Sequence, residues 1–338
     1  MIFPVSSKLN NADLFYSNDI TLASKGFRGL NLFGKIKFAK ILFTARKKVE
    51  AFHKEAIAKK ECYIGPFWGE LGNFLLHFLP YVSYLKSKGV KVHACYIENC
   101  SSFMVDDAGK RLCEEDVLLR NFFAEVRPAG NRVVNPPADI VKKLSEFAAK
   151  AKTSGFPFLD LSDNDLYWYV FRNWQLNGKQ VLYPLEKVFG SADTKNNVVI
   201  FPRKKGGAYT PNNGGEWDYM KLAKTLAPFF DTVIFTGRPD MSAEVHEDGN
   251  IKLQLSDNNE DILKSCAGAR LIVTQHSGAM HIGSYVNVPV LLIFNGKLPV
   301  KGLDDSDRFR ENIKRKNVYL ATSEAEVIDF VKSRTYLV

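Results

Sequence analysis

A chain of 338 residues has room for two α/β domains of ordinary size. Its hydrophobic fraction of 46% and aromatic fraction of 12% are those of a folded protein and exclude a disordered one. The formal charge of +9 is concentrated in one place. Residues 25–60 hold eleven Lys and Arg against two Glu, while the rest of the chain is balanced.

In chain order, Met1-Ile2-Phe3-Pro4 is followed by polar residues and not by the apolar core of a signal peptide. No window reaches the ~18–20 apolar residues of a membrane span. The expectation is a cytoplasmic protein, peripheral at most at the inner face of the membrane. Residues 1–60 read as a basic amphipathic N-terminal extension. In it Leu30, Leu32, Phe33, Ile36, Phe38, Ile41, Leu42, Phe43, Val49 and Phe52 recur at helical spacings with lysines between them. Two readings stand: a segment lying on an anionic membrane surface, or a helix packed on its own domain by that stripe. No nucleic-acid module accompanies the charge, so nucleic acid is not an expected partner.

Residues 61–192 read as a first α/β unit. A strand at 61–64 runs into Gly65-Pro66-Phe67-Trp68-Gly69-Glu70-Leu71-Gly72-Asn73, whose glycines allow close backbone approach. A helix follows, with Phe74, Leu75, Phe78, Leu79, Val82 and Leu85 on its apolar face and a kink expected at Pro80. A strand at 90–96 comes next. The stretch 101–130 carries little pattern beyond a strand end at Val126-Arg127-Pro128, and a polar and aromatic connection spans 153–185.

Residues 193–322 alternate strictly: strands at 198–201, 232–235, 251–253, 271–274 and 288–294 are separated by helices at 217–227, near 240–246, 257–266 and 278–286. That alternation implies a doubly wound parallel sheet. In the last part, 323–338, Ser323-Glu324-Ala325-Glu326 is a capping box opening a C-terminal helix. The five cysteines lack C-x-x-C spacing and read as free thiols. No His/Cys spacing suggests a metal site, and none is expected.

Three constellations suit chemistry. Glu70, where a strand hands over to a helix, is placed to act as a general base, with Asp106 or Asp107 as second choices; capping of the helix is the plain alternative. Phe201-Pro202-Arg203-Lys204-Lys205-Gly206-Gly207 puts cations directly after a strand, suited to a phosphate leaving group, or else forms a solvated turn. Between the strands 271–274 and 288–294, Ser277-Gly278 opens a helix with His281 one turn in. There backbone N–H groups, a hydroxyl and an imidazole gather at the carboxyl end of a strand, which suits a phosphate, or the serine is an ordinary N-cap.

The residues Val233-Ile234-Phe235-Thr236-Gly237, Ser277-Gly278-Ala279-Met280-His281, Pro289-Val290 and Phe294-Asn295-Gly296 resemble the donor half of the heptosyltransferase-like glycosyltransferases, glycosyltransferase family nine. The chain departs from that pattern at His276, where the family has Asp, and at Asn295, which interrupts F-G. The resemblance covers residues 197–296. It implies a GT-B fold: two Rossmann-like doubly wound domains facing a cleft, the first on the acceptor side and the second binding a nucleotide-sugar, with no other cofactor. The implied activity is transfer of a sugar to a glycan or lipid-linked acceptor in polysaccharide biosynthesis, independent of metal and inverting.

The resemblance also implies a carboxylate near the first βα loop, matched by Glu70 with Gly69, Trp68 and Asn73 on the acceptor side, and a basic residue matched by Arg203. The donor-binding candidates are Lys204, Lys205, Thr236, Gly237, Arg238, Asp257, Glu260, His276, Ser277, Gly278, Ala279, Met280 and His281. Gly237 is expected to let a flat base lie against backbone, and Glu260 or Asp261 to hold ribose hydroxyls. Two alternatives remain: a polysaccharide pyruvyl transferase-like enzyme using phosphoenolpyruvate, and a non-catalytic nucleotide-sugar binding module.

Overall fold

The structure, a computed structural model, describes residues 31–69, 71–106, 108–122, 128–129, 132–133, 136–163, 166–167, 170, 195–204, 217–275, 277–294 and 318–333. The chain forms two compact units, one of Met1–Met104 with Arg111–Val181 and the other of Val105–Lys110 with Leu182–Val338.

The first unit opens with a 28-residue helix, α1 (Leu32–Lys59). The side chain of Asn31 caps it by accepting from the Gly34 N–H at 2.8 Å, and Lys60 ends it in the left-handed conformation. Ala45, Val49, Phe52, His53 and Ala56 recur at helical spacing and are buried, with α1 packed on the strands β1 (Glu61–Phe67) and β6 (Phe158–Asp160). Between Ala45 and Ala56, therefore, the segment expected as an extension is part of the unit's own core.

After β1 the chain is helical in three pieces, together α2: Leu71–Asn73, a π-helical turn Phe74–Phe78, and Leu79–Ser87. Pro80 brings no N–H to the ladder and its ring crowds the preceding turn. The wider π turn just before it is how the helix accommodates the ring. The strand β2 (Lys91–Ile97) follows, then a 3₁₀ turn Glu98–Phe103 and β3 (Glu115–Leu119). The short antiparallel pair β4 (Pro128–Ala129) and β5 (Arg132–Val133) precedes α3 (Ala138–Ser154). The main sheet has the order β3-β2-β1-β6, all parallel. The strand β3, which the sequence did not reveal, opens on Glu115 and Asp116 and is only half-buried over four of its five residues.

The second unit is a six-stranded parallel sheet in the order β12-β11-β10-β7-β8-β9. Its strands are β7 (Asn197–Ile200), β8 (Thr232–Gly237), β9 (Ile251–Leu255), β10 (Leu271–Thr274), β11 (Val290–Ile293) and β12 (Val318–Ala321). The helices between them are α4 (Tyr219–Leu226), α5 (Asn259–Cys266) and α6 (Ala279–Tyr285). From β7 the chain winds outward through β8 and β9, then returns to the other side of β7 for β10, β11 and β12. This is the doubly wound order in which a crevice opens between β7 and β10 at their carboxyl ends.

Two aliphatic strand faces and the inner faces of α4 and α7 (Glu324–Ser333) make its core: Val198, Ile200, Val233, Leu271, Val273, Leu291 and Ile293 meet Leu222, Leu226, Val327 and Val331. The capping box of α7 is formed, with Ser323 Oγ accepting from the Glu326 N–H at 3.2 Å and the Glu326 carboxylate accepting from the Thr322 N–H at 2.7 Å. The helix expected near 240–246 is instead a single 3₁₀ turn, Pro239–Met241. The chain beyond it is extended because Ser242 bridges to Arg203 and the Ala243 N–H bonds the Pro202 carbonyl.

Candidate functional site

The carboxyl edge of the second sheet gathers the loops after β7, β8 and β10. The β7 loop is fixed on both sides. Phe201 N–H donates to Val273 O at 3.0 Å, Lys204 N–H donates to Met241 O at 3.0 Å, and Arg203 bridges Ser242 in antiparallel register. This lacing holds Arg203 and Lys204 directly beyond the carboxyl end of β7, beside the crevice. Tyr219, the first residue of α4, is buried next to Arg203; burial pushes its phenol up, and the Arg203 charge acts in the opposite direction. Sequence reasoning missed Tyr219 and Ser242, since nothing in their spacing shows that two loops are stitched together around Arg203. Lys205 lies outside the described residues.

On the other side of the crevice, β10 ends at Thr274 and Ser277 follows. Its Oγ accepts the Ala279 N–H at 3.3 Å and lies 3.5 Å from Thr274 Oγ1, so Ser277 acts as a cap. Gly278 starts α6 without a side-chain cap of its own. Ala279, Met280 and His281 are buried, with exposures of 7%, 1% and 6%. His276 lies outside the described residues.

The β8 loop differs most from expectation. Gly237 has φ +128°, a conformation reserved for glycine, and a Cβ built on it would stand 3.3 Å from Phe201 Cδ1. The Phe201 ring and Ser242 Oγ thus lie against the Cβ side of Gly237. Thr236 is fully buried and its hydroxyl donates to Gln254 O at 3.0 Å. The Arg238 guanidinium is held by both oxygens of Asp240 at 3.1 Å, with Asp257 at 3.8 Å. Glu260 pairs with Lys264 at 2.8 Å and Asp261 accepts from Ser256 Oγ at 2.8 Å, so both carboxylates of the first α5 turn have local partners. Of the donor-side candidates, Arg203 and Lys204 follow the carboxyl end of β7 and Ser277 and Gly278 follow that of its sheet neighbour β10. Thr236, Arg238, Asp257 and Glu260 have local partners, and Ala279, Met280 and His281 are buried.

In the first unit, the order β3-β2-β1-β6 puts the analogous change of winding direction between β1 and β6. Glu70 and Asp107 lie outside the described residues. Trp68, expected on the acceptor side, is 8% exposed and packs with Tyr63, Cys95, Ile97 and Leu119. Gly69 sits against Phe67 and Tyr167, and Asn73 is buried. Asp106 Oδ1 accepts the Ala108 and Lys110 N–H groups at 3.0 and 2.9 Å, which makes it the organiser of its own turn. A carboxylate that sequence reasoning passed over stands at this edge: Asp160, in register with Gly65, whose Oδ1 accepts from Ser162 N–H and Oγ at 2.9 and 2.6 Å. Among the described residues no group of three His, Cys, Asp or Glu is placed to hold a metal ion, and no helix is long and apolar enough to cross a membrane.

No protein-family model matches the sequence, and none of the curated proteins compared with it matches. Solved structures do match. E. coli heptosyltransferase WaaC with ADP aligns over 81% of this chain and 99% of its own, at 11% identity and a TM-score of 0.52. The same enzyme with ADP-2-deoxy-2-fluoro heptose gives 12% identity, the same coverages and a TM-score of 0.51. The chain shares the fold of these structures. At such identity the likeness is one of architecture, and it agrees with the GT-B class expected from the strand-and-turn motifs of residues 197–296. Within that GT-B fold, the β7–β10 crevice with Arg203, Lys204 and the Ser277-Gly278 turn is the best-equipped site among the described residues.

Proposed function

We propose that the protein is a glycosyltransferase that moves a sugar from a nucleotide-activated donor to a glycan or lipid-linked acceptor. The observation that carries this reading is the position of Arg203 and Lys204 at the carboxyl end of β7, where the winding direction of the second sheet reverses. A nucleotide leaving group gains negative charge as the anomeric carbon–oxygen bond breaks. Cations held in place by backbone lacing stabilise that charge without having to reorganise. The Ser277-Gly278 turn supplies hydrogen-bond donors to the same phosphate. Glu70 is the general base of this reading, taking the proton of the acceptor hydroxyl as its oxygen attacks the anomeric carbon with inversion. Lys205 and His276 belong to the same phosphate region by their place in sequence, and the reading needs no metal ion because side chains supply the positive charge.

One observation favours a second reading. The Phe201 ring packs beside Gly237 at the same sheet edge, and a smaller phosphorylated substrate such as phosphoenolpyruvate in a pyruvyl transfer needs no room there for a base. A thermal-shift screen against UDP, GDP, ADP, CMP and phosphoenolpyruvate separates the two; ADP is included because it occupies the WaaC structure. Ligand at ~100 times its dissociation constant adds about 2.7 kcal/mol of stability. The expected result is stabilisation by one nucleotide that is lost in Arg203→Ala. Stabilisation by phosphoenolpyruvate alone overturns the glycosyltransferase reading, and no response to any of the five leaves neither reading standing.

A further inference from the structure

The helix α1 carries two apolar faces, and only one is buried. Ala45, Val49, Phe52 and Ala56 pack into the first unit. Leu32, Ile36 and Phe43 lie roughly 140–180° round the helix from Ala45, and they are 66%, 50% and 47% exposed, with neighbouring Phe33 at 81%. On the same side Lys40, Lys47 and Lys54 recur every seven residues, alternating with Ile36 and Phe43 at spacings of four and three. None of these three lysines has an ion pair with a described residue. Beside this face Lys37, Lys40, Thr44 and Lys48 line an open groove of about 300 Å³.

A solitary exposed leucine needs no explanation. Four large apolar side chains within twelve residues of one helix, interleaved with unpaired lysines, do. Charge decides among occupants. A second copy of the helix would bring like lysines side by side along the seam, which is unfavourable. A sheet of lipid phosphates meets every lysine with an opposite charge while the apolar side chains enter between headgroups. We infer that this face of α1 lies flat on an anionic lipid bilayer. Leu32, Phe33, Ile36 and Phe43 are inserted, and Lys40, Lys47 and Lys54 lie at the level of the lipid phosphates with their stems along the apolar surface. The inference uses no residue of the proposed catalytic site and stands or falls separately from it.

The test is co-sedimentation of the full chain with vesicles of phosphatidylcholine containing ~30 mol % phosphatidylglycerol, and with phosphatidylcholine alone, at low and high salt. The wild type is expected to bind the anionic vesicles and to be released by salt. Ile36→Glu/Phe43→Glu is expected to abolish binding, and Lys40→Gln/Lys47→Gln to weaken it about 30-fold, from the affinity contributed by each lysine. All four positions are exposed or unpaired, and an unchanged thermal melt verifies the fold of each variant. The inference is overturned if the wild type ignores anionic vesicles, or if folded Ile36→Glu/Phe43→Glu binds as well as wild type. It is also overturned if the wild type self-associates through this face, or if it binds only after residues 1–30 are removed, which would make that segment the occupant.

Discussion

The two sheets run in the same sense but are filled by different chemistry. The second unit's core is mainly aliphatic, with Val198, Ile200, Val233, Leu271, Val273, Leu291 and Ile293 joined by the rings of Phe235, Tyr219 and Phe230. The first is aromatic around the carboxyl end of β1 and the π turn of α2. Phe67, Phe74, Phe78 and Tyr96 lie with ring centroids 5.0–5.9 Å apart in tilted or edge-on pairs. Flat β-branched strands accept α4 and α7 with little local adjustment. Bulky rings do not, and the helix beside them departs from regular geometry just where the rings crowd and Pro80 follows.

The largest test of this contrast is Phe78→Ala. Phe78 is fully buried among three other rings, and its truncation should cost about 3–5 kcal/mol. Urea unfolding measures it; a loss under ~1 kcal/mol would show that the aromatic cluster is not what holds the first unit. In the second unit the sensitive point is a close approach. A Cβ on Gly283 would run into the Val290 side chain and stand 2.8 Å from Val288 O, so Gly283→Ala should cost about 2–3 kcal/mol by pushing α6 off β11.

The first unit also carries a pH dependence. Burial lowers the pKa of His53 from 6.5 to about 4, and its Nε2 lies 2.5 Å from the Tyr81 hydroxyl. The folded state thus prefers neutral histidine. Its contribution is fully present above pH 6.5 and is lost as the pH falls toward 4, about 3 kcal/mol in all. Replacing His53 with Leu should flatten the stability profile over that window; a wild-type profile already flat there would remove the assignment.

The thiols distinguish the units in one experiment. Cys62, Cys95, Cys100 and Cys113 are buried in the first unit and Cys266 in the second, and burial pushes each thiol up, Cys62 and Cys95 to about 12. Native protein should not react with a thiol reagent. Along a denaturant series, a step of four thiols or of one identifies which unit opens first. The smallest effect is expected at the exposed Lys221–Glu324 pair, 2.7 Å apart and joining α4 to α7, where Lys221→Ala should cost about 0.5 kcal/mol.

The sequence by itself determined the second unit closely. Unbroken apolar runs such as Leu271-Ile272-Val273 occur where strands are buried on both faces, and their alternation with helices requires parallel winding. It also determined the capping box at Ser323 and Glu326, because both partners are local. It did not reveal β3, β6, α3 or β12, and it left open two readings of α1, of which the structure shows the helix packed on its own unit through Ala45, Val49, Phe52 and Ala56. At the candidate site, cations after a strand were legible at Arg203 and Lys204. That Arg238 is taken by Asp240 and Thr236 by a backbone carbonyl was not. Periodicity records how much of a residue is buried. It does not record which neighbour, dozens of residues away, takes up its hydrogen bonds and charge, and only the tertiary structure decides that.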